Sequence, residues 1–120
     1  MAMALSSCAM QTTPPVAPHG TYLGSETRLL DSDLVNFRVK MRGVIPREAL
    51  VDYAECVAAQ YAIVREFGFA RHLRTNVFEE GGIWIADGVY TISSALPDGV
   101  ATLDAEVVVQ NCAEKGIPTV

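Results

Sequence analysis

The sequence predicts an α+β fold: an antiparallel sheet of about five strands packed on one long helix, in the order ββαβββ. Three observations carry this. Phe37, Val39 and Met41 alternate with Arg38, Lys40 and Arg42, the period of a strand with one wet face. Leu50, Tyr53, Ala54, Val57, Tyr61 and Val64 recur at i, i+3, i+4 spacing, the period of a helix. Turn residues at 31–33, 79–82 and 96–99 are tight enough to make neighbouring strands antiparallel.

The first strand is expected over Gly20 to Leu30, with Tyr22, Glu26 and Arg28 interleaved. Asp31-Ser32-Asp33 supplies a turn through short side chains that bond nearby backbone. It is no calcium loop, because the glycine and closing glutamate such a loop needs are missing. Leu34 to Arg42 is the second strand, and Gly43 ends it. Pro46 suits a first helical position, and Glu48 lies near the positive end of the helix dipole. Gly68 is expected to close the helix in a left-handed conformation. Arg71 to Phe78 and Ile83 to Ser94 then form a hairpin around Glu79-Glu80-Gly81-Gly82. Leu96-Pro97-Asp98-Gly99 makes the next turn, and β-branched residues predict a last strand from Ala101 to Cys112. Such a helix would bury Leu50, Val57, Tyr61 and Val64 against Phe37, Val39, Ile85, Ile92 and Val108.

Composition bounds the class. In 120 residues, half of them hydrophobic and 19% charged, there is material for one core, placed in residues 21–120. A net charge of −5 argues against a nucleic-acid partner, since phosphate binding needs clustered Lys and Arg.

Leu5-Ser6-Ser7-Cys8 has the form of a lipobox, in which the cysteine receives lipid. Residues 1–7 read as a truncated signal-peptide remnant, because only Met1 to Ala4 precede Leu5 and an apolar signal core takes about 7 to 15 residues. Residues 8–20 read as the lipid-attachment cysteine and a flexible tether containing Pro14, Pro15 and Pro18. Ala9 after the cysteine points to the periplasmic face of the outer membrane. With Cys8 lipidated, Cys56 and Cys112 are an even pair that can form a disulfide in an oxidising compartment; in a reducing one both would be small core thiols.

No catalytic motif is present: no phosphate loop, nucleophile elbow, zinc-protease helix or CxxC pair. His19 and His72 are far apart, so neither a metal nor a cofactor is expected. Glu26 and Arg28 on one strand, with Arg47, Glu48 and Asp52 on the first helical turns, are expected to form a charge network that orients helix against hairpin.

The strings Tyr22, Ser25-Glu26-Thr27-Arg28-Leu29, Asn36-Phe37-Arg38-Val39, Pro46-Arg47-Glu48 and Asp52-Tyr53-Ala54 resemble a group of small uncharacterised alphaproteobacterial lipoproteins. Those proteins show Gly-Tyr-Ser-Glu-x-Arg-Leu, Arg-Val-x-Phe and Arg-Glu-x-Val-x-Asp-Tyr elements in the same order. The likeness covers residues 20 to 69 and departs at Cys56-Val57-Ala58-Ala59, where those proteins carry an arginine. It implies an envelope location and a lipid anchor, and no activity. The reading is therefore a non-enzymatic envelope lipoprotein whose small domain does structural or protein-interaction work, meeting a partner or a second copy at a sheet edge. The alternative is a small-ligand module with a pocket lined by Tyr61, Trp84 and Tyr90.

Overall fold

A computed structural model describes residues 16–17, 20–96 and 102–119. The elements are β1 (Val16–Ala17), β2 (Gly20–Leu29), β3 (Leu34–Gly43), α1 (Arg47–Val64), β4 (Phe69–Glu80), β5 (Ile83–Ser93), β6 (Thr102–Asp104) and α2 (Ala105–Lys115). The fold is α+β. The sheet runs β1-β2-β3-β5-β4-β6, every pairing antiparallel, so β3 and β5 are the central strands and α1 carries the chain from β3 past the place of β5 to β4.

Alternation builds the two faces. Val35, Phe37, Val39 and Met41 are fully buried under α1, while Asn36, Arg38, Lys40 and Arg42 point the other way. The β4–β5 hairpin closes through Gly81 and Gly82, at φ 57° and 82°, the backbone of a two-residue turn whose twist matches its strands. Strands β2 and β4, which the short β1 and β6 only partly cover, each carry a bulge, between Tyr22 and Gly24 and between His72 and Arg74. Bulges bend an edge and re-aim its side chains.

Four expectations are corrected. The predicted last strand, Ala101 to Cys112, is only the three-residue β6 followed by α2, so the order ββαβββ and the single helix do not hold. Asp104 caps the N-terminus of α2, accepting from the Val107 amide at 3.4 Å, and Glu106 and Lys115 sit at the dipole ends that favour them. Gly68 does not cap α1. The left-handed residue is Glu66 (φ 64°), and amides of Glu66 and Phe67 return to the carbonyls of Ile63 and Ala62, a Schellman closure two residues earlier. Gly116 (φ 68°) closes α2 in the same way.

The last two corrections concern the core. Val64 is 64% exposed, and Ile85, though buried, lies on the sheet face turned away from α1. Helix α1 is instead wrapped on two sides. Leu50, Ala54 and Val57 meet the sheet, while Cys56, Ala59 and Ala62, far round the helix from them, are also buried, Cys56 against α2. A helix covered on both sides shows a weak one-sided stripe, which is why α2 was not legible from α1. Of the turn at 96–99, residues 97–99 lie outside the described residues.

Candidate interaction surface

Cys56, on the α2-facing side of α1, is bonded to Cys112, with Cα atoms 6.0 Å apart and 56 residues of sequence between the two positions. Both sulfurs are in buried residues. The bond matters for α2 because only Ala105 and Cys112 of that helix are fully buried, with Val108 and Val109 partly buried against the core. Next to it, Asp52, Glu55, Val108, Asn111, Lys115 and Ile117 complete a cleft of about 110 Å³ between the helices. Burial raises the Glu55 carboxyl above its usual range and the Asp52 charge adds to this, with Lys115 partly opposing.

The expected charge network does not assemble. Glu26 and Arg28 project from the sheet face opposite the helix, and Glu26 pairs with Lys40 at 3.8 Å. Arg47 donates to the Thr75 carbonyl at 3.4 Å. Among the described residues, Arg28, Glu48 and Asp52 have no ion-pair partner. The reason is the parity of β2: with Tyr22 turned inward and one residue absorbed at the bulge, Ser25 and Thr27 face α1 and the charged residues between them face solvent.

That outer face is an ordered polar lattice which sequence reading missed. Asp87, at the centre of β5, accepts from Asn36 Nδ2 and from Arg38 Nη2, the latter at 3.2 Å, and Asn36 also donates to the Gly88 carbonyl at 3.2 Å. Arg38 further lies over the Phe78 ring, 5.8 Å from its centroid. Ile85 and Val89 are 4% and 8% exposed although no helix covers them, shielded by the long side chains of neighbouring strands. Glu26, Thr27, Arg28, Asn36, Arg38 and Asp87 line a shallow polar groove of about 160 Å³. The signal was present in Asp87, an acid in a run of β-formers, but its partners lie 49 and 51 residues away.

On the inner side, aromatic residues pack on one another. Phe37 meets Tyr61 and Tyr90 edge-on at 5.3 and 5.7 Å, and His72 meets Tyr90 at 5.3 Å. His72 Nε2 is 2.7 Å from Thr75 Oγ1, and the Tyr90 hydroxyl is buried beside them. Burial, followed by the Glu55 charge, pushes the Tyr90 phenol far above its ordinary range; the nearby Thr75 hydroxyl offsets only part of this. Trp84 is partly buried further along β5, beside Met41.

The sheet is paired only briefly at its two edges. Strand β1 covers Gly20 and Thr21 of β2, and β6 covers Phe69 to Arg71 of β4. Among the described residues, 22–29 and 72–80 therefore present an open edge each. Cys8 lies outside the described residues, as do residues 1–15 of the expected signal remnant and tether. No described helix is long and apolar enough to cross a membrane.

Residues 22–116 match the family model described as the YNQ4 C-terminal domain. An uncharacterised 26.9 kDa protein in the nqo8 5′ region of Paracoccus denitrificans is 30% identical over 96 residues, which are 80% of this chain. The chain spans 37% of that relative's length. No solved structure matches significantly.

Proposed function

The chain belongs to the YNQ4 C-terminal domain family, and from there we propose that it is a non-enzymatic domain of the bacterial envelope, lipidated on Cys8, that engages a protein partner through the open sheet edges. The observation that carries the envelope reading is the Cys56–Cys112 bond. Structural disulfides persist in oxidising compartments and are rare where glutathione and thioredoxin keep thiols reduced. Here the bond secures a helix with only two buried residues of its own, so the fold draws on it. A periplasmic face of the outer membrane is the location this reading takes.

The interaction reading draws on the edges. Strand addition supplies main-chain hydrogen bonds along an unpaired edge, and 22–29 and 72–80 are long enough to offer it. The bulges and charges that both edges carry are devices against indiscriminate pairing, so a partner must fit their register.

The test is intact mass of the protein made in a bacterial host from a gene that includes its upstream sequence, beside a Cys8→Ser version. A chain starting at Cys8 with a diacyl or triacyl group, lost in the variant, supports the anchor. An unmodified chain whose Cys56 and Cys112 react with a thiol reagent inside the cell overturns the envelope assignment.

A further inference from the structure

Arg28, Arg38, Lys40, Arg42, Arg71 and Arg74 all project from the helix-free face of β2–β5, which gathers six of the chain's nine lysines and arginines. The same four strands turn three acids to that side, Glu26, Glu80 and Asp87. The face is therefore net +3 in a chain of net −5, and the remainder carries the compensating excess of acid. Arg38 and Lys40 are paired with Asp87 and Glu26. Arg28, Arg42, Arg71 and Arg74 have no carboxylate within ion-pair distance among the described residues. At the end of the sheet where Arg28, Arg71 and Arg74 lie, Leu30 and Leu73 are 49% and 46% exposed.

We propose that this face docks flat on an anionic lipid surface. The cations are spread over four strands instead of being gathered in one cleft, so their complement is a plane of negative charge. Arginine forks bind lipid phosphates, and leucines beside them can enter the boundary between headgroups and acyl chains. The net negative charge of the whole chain opposes approach from afar, and the basic face prevails only within a Debye length, about 10 Å. The proposal deepens the anchored-domain reading and rests on it for delivery to the membrane: from Cys8 to Val16 even a fully extended chain spans at most about 28 Å. Lipid attachment and a basic face are the two signals that together make anchoring stable.

The experiment uses the full chain carrying Cys8→Ser, so that lipidation plays no part, sedimented at low salt with vesicles of phosphatidylcholine alone or mixed with phosphatidylglycerol. The expected result is binding to the mixed vesicles only, released by high salt. Arg28→Glu with Arg74→Glu should weaken it by about tenfold or more. Arg65→Glu with Lys115→Glu makes the same change in net charge on the helix side and should weaken it far less. Circular dichroism of each variant establishes folding; should the reversal fail to fold, Arg28→Ala with Arg74→Ala replaces it. No binding to mixed vesicles, equal binding to both vesicles, or equal loss in the two variants overturns the proposal. So does salt-sensitive self-association in place of vesicle binding, which would give the face to a second copy. Failure here with Cys8 shown to be lipidated leaves the anchor standing, and success with Cys8 unmodified leaves the face standing alone.

Discussion

Glu66 shows how a single residue can hide an element boundary. It occupies the left-handed region at φ 64° where glycine is favoured, while Gly68 two positions later is not left-handed. A reading that looks for glycine at a helix end therefore overruns by two residues. A left-handed non-glycine residue costs about 1–2 kcal/mol, part of which glycine returns through a freer unfolded chain. Glu66→Gly is expected to stabilise the fold by about 0.5–1 kcal/mol in urea denaturation. At the equivalent position of α2 that residue is already Gly116, so Gly116→Glu should move stability the opposite way. Alternation was the part legible at this scale: Phe37, Val39 and Met41 are inside and Arg38, Lys40 and Arg42 outside, because a period of two leaves no other choice. Tyr90 and Val64 were not, since burial of an aromatic or exposure of a valine depends on what arrives from elsewhere in the chain.

The elements were read well where periodicity was long and poorly where it was short. Strands β2 to β5 and helix α1, each ten residues or longer, followed from sustained patterns, though β4 extends two residues beyond the expected Arg71 to Phe78 at either end. The segment after Asp104 did not, because Val107-Val108-Val109 is a strand-like triplet that outweighed its helix signals. Those signals were present: a capping Asp104, Glu106 in the first turn, Lys115 in the last and Gly116 just beyond. Helix α2 fully buries only Ala105 and Cys112 and lays Val108 and Val109 partly on the core, so the bond to α1 is a large part of its attachment. Closing a loop of this length is worth about 4 kcal/mol by chain entropy, with measured values for disulfides usually about 2–4 kcal/mol. Replacing Cys56 and Cys112 together by alanine is expected to cost that much in chemical denaturation. Amide exchange should then rise first in α2, with the β3–β5 centre still protected.

At the scale of the molecule, the sequence could state total charge but not where the charge goes. The basic residues looked like the wet face of one strand; the topology β2-β3-β5-β4 lays strands from both halves of the chain side by side and makes that face continuous. The expected network of Glu26, Arg28, Arg47, Glu48 and Asp52 failed for the same reason, as strand parity put its halves on opposite sides of the sheet. Between the two helices, Glu55 sets a pH dependence. Its folded pKa is raised by burial and by Asp52, so its protonation favours the fold. That contribution is complete below the unfolded value of 4.5 and is lost as pH rises through the folded value. Glu55→Gln should therefore increase stability near pH 7 and leave it nearly unchanged below pH 4, read by urea titrations at both. The Cys56–Cys112 bond also has a mechanical meaning. It ties the second half of the sheet into a closed ring, so a domain pulled by its two ends can pay out only the chain outside that ring. Under force the oxidised protein should lengthen by about 190 Å less than the reduced one, a difference that optical-tweezer extension curves would show directly.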